Sequence, residues 1–197
     1  YEMIRGDWSS DVCSSDLGFF VTRTSLLHIN ELDDRKSKAT NCGGAGINCS
    51  AARVSANGAV LTHNNRGIIV ANGGVVSGLD SVDCSYSELD GVLAEGGEAN
   101  LPYIIADNCG QYGLYARYGG KILAREGHTE GCQFGLYSRH GGNIMFDGGT
   151  SINHSSRSIY ARDGSIVSAF NTTADNGVDN IYSVEARAGS TINIQSS

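Results

Sequence analysis

A short phrase recurs about every 22 residues along this chain, and it constrains the fold more than any other feature. It reads Gly46-Ile47-Asn48-Cys49, Gly67-Ile68-Ile69-Val70, Gly91-Val92-Leu93-Ala94, Gly113-Leu114-Tyr115-Ala116, Gly135-Leu136-Tyr137-Ser138, Ser158-Ile159-Tyr160-Ala161 and Ser183-Val184-Glu185-Ala186. The steps between copies are 21, 24, 22, 22, 23 and 25 residues. A repeat of this length cannot bury an apolar face by itself, so the copies must stack on one another.

Within each copy the residue after the anchor is aliphatic, and the residue two places later is small or apolar. Alternation over so short a run predicts a strand with one face buried. Gly-rich corners follow at Gly73-Gly74, Gly96-Gly97, Gly119-Gly120 and Gly141-Gly142, with single Gly164 and Gly189 in the last two copies. Glycine accepts positive φ, so these positions turn the chain. A second alternating strand is expected after the corner, with Ile122 and Ala124, Ile144 and Phe146, Ile166 and Ser168, and Ile192 and Ile194 on one side. No copy contains a helical period long enough for a crossover helix, and a propeller blade needs about twice this length. The reading is all-β: a single-stranded right-handed parallel β-helix (solenoid) of about seven coils of about 22 residues.

The repeat resembles the pectate-lyase-like parallel β-helices, especially the repeat regions of bacteriophage tail spikes and tail fibres. The resemblance covers residues 46–197 and is carried by structural positions, so it specifies shape better than chemistry. It implies a structural and adhesive segment that contacts bacterial surface polysaccharide, acidic polysaccharide included. It also implies a homotrimer in the full-length protein and a location in the virion tail after assembly in the host cytoplasm. Two alternatives stay open: a polysaccharide-degrading glycosidase or lyase on the same scaffold, and a bacterial surface or secreted adhesin.

Residues 7–17 read as the translation of a sequencing-adapter oligonucleotide, and 1–17 are taken as a non-native artefact. Residues 18–45 are expected to form a cap or an irregular first coil, with Ser25-Leu26-Leu27-His28 a candidate start for one more coil. The solenoid then spans 46–197 and is expected to be truncated, because the chain stops in mid-coil. Net charge is −7, with no basic tail, which argues against nucleic acid as a partner. No stretch approaches 18 apolar residues, so no membrane insertion is expected. No dinucleotide or phosphate-loop motif implies a cofactor, and no Cys/His spacing implies a metal site. Cys42, Cys49, Cys84, Cys109 and Cys132 are expected as buried free thiols that suit a reducing compartment, with a Cys109–Cys132 disulfide as the alternative.

Strand alternation places two columns on the outside. Tyr115, Tyr137 and Tyr160 form an expected exposed ladder beside Arg117, Arg139, Arg162 and Arg187. Such a strip suits saccharide binding, through aromatic stacking and bidentate Arg–carboxylate pairing. It equally suits a subunit interface, or an ordinary solvated face. Asp83, Asp107 and Glu130 lie 16, 16 and 17 residues after their anchors and are candidate catalytic carboxylates if they stack on successive coils.

Overall fold

The computed structural model describes residues 18–23, 25–29, 37–175 and 183–195. The segment read as an adapter translation lies outside the described residues.

Three parallel sheets form the walls of a β-solenoid of about seven turns, and there is no helix among the described residues. The first sheet stacks Phe19–Thr22, Ala45–Ser50, Arg66–Ala71, Asp90–Glu95, Tyr112–Arg117, Phe134–Arg139, Arg157–Ala161 and Val184–Ala186. The second stacks Leu26–Ile29, Arg53–Ala56, Val75–Ser77, Glu98–Asn100, Lys121–Leu123, Asn143–Met145, Ile166–Ser168 and Thr191–Asn193. The third is shorter, with Val82–Asp83, Ile104–Ile105, His128–Glu130, Thr150–Ile152 and Thr173–Asp175. Isolated parallel bridges from Lys38 to Val60 and from Val60 to Asp83 extend its line through the earlier coils.

The register follows the repeat. Ile47, Ile68, Val92, Leu114, Leu136, Ile159 and Val184 pair in one unbroken inward column, and Cys49, Val70, Ala94, Ala116, Ser138, Ala161 and Ala186 in the next. Each fully buried aliphatic side chain of the first column contributes about 1.5–3 kcal/mol, so stacking supplies the stability that an isolated copy lacks. The anchor glycines answer a close approach inside the solenoid. A Cβ on Gly113 would lie 2.8 Å from Thr129 Cγ2 on the third wall and 2.8 Å from the carbonyl oxygen of Gly135.

The corners between the first and second sheets place two successive residues in the left-handed region. Tyr118-Gly119, His140-Gly141, Asp163-Gly164 and Ala188-Gly189 all adopt it, with φ between 49° and 75°. This is the sharp turn that the glycines imply.

Two registers differ from the sequence expectation. Leu26–Ile29 pairs with Arg53–Ala56 in the second sheet, so Ser25-Leu26-Leu27-His28 is not an anchor. The anchor position of that coil belongs to Gly18, because Phe19 pairs with Ile47. In the later coils Val167, not Ile166, stacks on Ile144 and Ile192; Ile166 is 44% exposed. Ser165 takes the place of the second corner glycine there, and the strand starts one residue later. A shift of one residue moves every side chain of a strand to the opposite face.

Candidate functional site

The tyrosine ladder does not stand free in solvent. Leu93, Tyr115, Tyr137 and Tyr160 are 3–8% exposed and form a second apolar cluster on the outer face of the first sheet, with Tyr112 and Phe134 packed against it. The rings stack at close to the coil spacing: Tyr115–Tyr137 at 5.1 Å and Tyr137–Tyr160 at 5.2 Å between centroids. Tyr112 and Phe134 close one flank, at 4.9 and 5.4 Å from Tyr137. Burial and the neighbouring Tyr137, Tyr115 and Asp90 push the Tyr112 hydroxyl up to about 12. The faces expected to stack on sugars or on a partner subunit are occupied by one another. One outward residue precedes the inward Gly-Leu pair (Tyr112, Phe134), one follows it (Tyr115, Tyr137) and a third comes two places later (Arg117, Arg139), so the outer face carries three neighbouring columns and can cover its own centre.

The arginine column forms the other flank and remains accessible at the corner. Arg117 Nη2 donates to Glu95 Oε2 at 2.8 Å, and Arg162 Nε donates to Asp163 Oδ2 at 2.9 Å. Arg187 and Arg157 both bond Glu185. Those contacts, together with burial working in the opposite sense, leave the Glu185 carboxyl below its ordinary value. Arg139 is the exception in its column. It has no carboxylate within ion-pair distance among the described residues; its Nε, like that of Arg117, is buried without a hydrogen-bond partner. Its guanidinium carbon lies 5.9 Å from the Tyr115 ring centroid, and the Tyr118 and Tyr137 hydroxyls lie beside it.

Sequence reasoning missed the side chains at this corner. Tyr118 is 53% exposed and stacks on His140 of the next coil at 4.9 Å and 10°. His140 Nε2 lies 3.4 Å from Asp163 Oδ2. The signal that points to them is positional: each precedes a corner glycine and follows a member of the arginine column.

The three carboxylates lie on the outer face of the third sheet, but not in one column. Asp83 pairs with Ile105, and Ile105 pairs with His128. Two places farther along these strands, Asp107 and Glu130 are neighbours on adjoining coils, with Ser85 below them. The expected stack of three is therefore a stack of two, because the loop before Asp83 has a different length and counting from the anchor misaligns it. Asp107 Oδ1 sits 2.8 Å from His128 Nδ1, and Glu130 Oε1 accepts from Asn153 Nδ2 at 2.7 Å. Burial raises the Asp107 carboxyl above its ordinary value, against the opposing pull of His128. The Asp83 carboxylate instead accepts the backbone N–H of Ser85 at 3.0 Å.

Comparison with protein-family models, curated proteins and solved structures returned no match. The fold therefore rests on the register of its own strands.

Cys49, Cys84, Cys109 and Cys132 are buried free thiols, so the alternative Cys109–Cys132 disulfide is not formed; Cys42, expected as a fifth free thiol, is instead disulfide-bonded. They belong to the packing. Cys132 Sγ donates to Ala106 O at 3.3 Å, and His154, fully buried, accepts the Cys132 backbone N–H on Nδ1 at 3.2 Å. Asn64 plays the same part lower down, accepting from the Cys42 backbone N–H at 2.8 Å and donating to Ala39 O at 2.8 Å. Among the described residues no group of three or more His, Cys, Asp or Glu side chains is placed to hold a metal ion.

Proposed function

We propose that this chain is a stiff, adhesive segment of a phage tail fibre or tail spike that contacts bacterial surface glycan. The observation that carries the reading is a basic and aromatic corner on a rod-like scaffold. Arg117, Arg139 and Arg162 follow one another on successive coils, with Tyr118 and His140 exposed beside them. A repeating ligand matches a repeating surface, since each coil offers a similar contact about 4.8 Å farther along the rod. Guanidinium groups favour carboxylate-bearing polymers through planar, bidentate pairing. The reading includes a homotrimer for the longer protein. The tyrosine ladder is not its mating surface, because those rings are already covered.

The test is retention of the purified chain on immobilised polysaccharides, acidic and neutral, at increasing salt. Retention on acidic polymers that weakens with salt supports the reading. Failure to bind any bacterial surface polysaccharide contradicts it.

The second reading is polysaccharide cleavage, and Asp107 with Glu130 on adjoining coils favours it. Two carboxyl groups about 5 Å apart suit a retaining glycosidase. The raised Asp107 carboxyl would serve as the acid and Glu130 as the nucleophile. New reducing ends or unsaturated products that disappear in both Asp107→Asn and Glu130→Gln would establish it.

A further inference from the structure

The inner corner between the third and first sheets holds one buried side chain on each of five successive coils. Asn64, Ser87, Cys109, Cys132 and His154 each stand three places after a buried residue of the third wall, namely Leu61, Cys84, Ala106, Thr129 and Ser151. Backbone bonds keep them in line: Glu88 N donates to Asn64 O, Gly110 N to Ser87 O and Ser155 N to Cys132 O. Three of the five complete the hydrogen bonding of the corner. Asn64 and His154 each accept a backbone N–H from the coil below, at 2.8 and 3.2 Å, and Ser87 Oγ donates to Cys84 O at 2.9 Å. The two coils between Ser87 and His154 place thiols there instead, which are weak donors and weak acceptors.

The two thiols lean the same way. Cys109 Sγ lies 3.6 Å from Cys84 O, and Cys132 Sγ lies 3.3 Å from Ala106 O. Cys84 and Ala106 hold equivalent places on the third wall, since Cys84 N donates to Ile105 O and Ala106 N to His128 O. The cysteines are therefore related by one coil step of about 4.8 Å. A disulfide spans Cα atoms separated by about 4.4–6.8 Å, so this pair can be bridged without moving the walls. Cys132 Sγ also lies against the Cys109 thiol and backbone N–H. Those contacts favour the thiolate on Cys132 and leave the proton on Cys109. An attacking thiol beside a resolving thiol is the arrangement that thiol oxidation requires.

We propose that Cys109 and Cys132 form a modification site, a dithiol that a peroxide converts into a disulfide locking two successive coils from inside. The Cys132 thiolate attacks one oxygen of hydrogen peroxide and the O–O bond breaks. The departing hydroxide takes up a proton as water, and Cys132 is left as a sulfenic acid. Cys109 then gives up its proton, its sulfur attacks the Cys132 sulfur, and the sulfenic oxygen leaves as a second water. The two thiols lose two electrons and the peroxide gains them. Both sulfur atoms are buried, so the reaction proceeds as the coil opens. The new bond closes a single coil and restrains the unfolded chain, so the oxidised solenoid is the more stable one. The site is independent of what the outer surface binds.

The experiment is oxidation of the whole chain by hydrogen peroxide in urea below the unfolding transition. The urea concentration is one at which iodoacetamide labels Cys132 in a parallel sample, which reports that its coil opens. The oxidised chain is alkylated in strong urea and mapped by mass spectrometry without reduction. The expected product is a linked pair of peptides containing Cys109 and Cys132, lighter than the separate peptides by two hydrogen atoms. The linked chain should melt roughly 5–10 °C higher than the reduced chain, and dithiothreitol should reverse the gain. Cys109→Ser should stop at a sulfenic acid on Cys132, trapped by dimedone. Cys132→Ser should leave Cys109 a thiol, and Cys84→Ser should leave the link intact. Four results would each overturn the proposal: sulfinic or sulfonic acid on Cys132 with no link, a link from Cys109 to Cys84, an unmodified pair in urea that lets iodoacetamide in, or a linked chain that melts no higher.

Discussion

The rings of Tyr137 and Tyr160 lie 5.2 Å apart and within 6° of parallel. Their backbones are paired in register on adjoining coils, so a spacing set by sheet hydrogen bonds becomes a spacing of aromatic rings. Tyr115 and Leu93 continue the column downwards, and Tyr112 and Phe134 wall it off on one side. The solenoid thus has an apolar spine outside its walls as well as a core within them.

Truncating the middle of that spine should be costly. Tyr137→Ala leaves a ring-sized gap between Tyr115 and Tyr160 and is expected to destabilise the chain by about 3 kcal/mol. Tyr137→Phe preserves the stack and should stay within about 0.5 kcal/mol of the parent. Urea denaturation followed by circular dichroism checks both.

The glycines divide into two kinds with different tolerances. Gly113 is confined by Thr129 and the Gly135 carbonyl, so Gly113→Ala forces the walls apart and should cost about 2–3 kcal/mol. Gly141 has φ of 74° and open space where a Cβ would stand, so Gly141→Ala meets only backbone strain, about 1 kcal/mol. Thermal melts of the two variants should separate accordingly.

Asp90 makes stability depend on pH in an unusual direction. Burial raises its carboxyl above the ordinary value, and its contact with Arg66 at 2.7 Å only partly opposes this. The folded chain therefore holds the Asp90 proton to higher pH than the unfolded chain. The stability this contributes is fully present below the unfolded value and is lost as pH rises through the folded value. On acidification from about pH 7 towards about pH 4, the parent should gain stability relative to Asp90→Asn. The opposite slope in paired melting curves would mean that the Arg66 contact outweighs burial.

The thiols should be silent until the chain opens. Burial pushes Cys49 up, Cys84 well up, and Cys109 up together with its contact to Cys132, which disfavours the reactive thiolate at each. The contact with Cys109, with His154 adding to it, pulls the Cys132 thiol down to about 6, so burial alone shields it. Iodoacetamide labelling with peptide mapping should leave Cys49, Cys84 and Cys109 unmodified in the native chain, Cys132 should label only as fast as its coil opens, and all four should be modified in urea.

The inward half of the fold was legible because alternation and a near-constant step report burial directly: Ile47 to Val184 stack as the repeat implies. The outward half was not. Alternation says that Tyr137 leaves the core, but whether neighbours cover it depends on Phe134, just before the anchor of its own strand, and on Tyr112 and the rings of the adjoining coils. Ile166 misled because Ser165 occupies a glycine position, and Asp83 because a loop of variable length separates it from its anchor.

Hydrogen exchange of the chain with and without an oligouronate tests the central claim most directly. Protection is expected at the corner segments 117–119, 139–141 and 162–164, with no change at 105–107 or 128–130. Protection centred instead on Asp107 and Glu130, or none at either place under saturating ligand, would contradict an adhesive corner built on Arg139 and Tyr118.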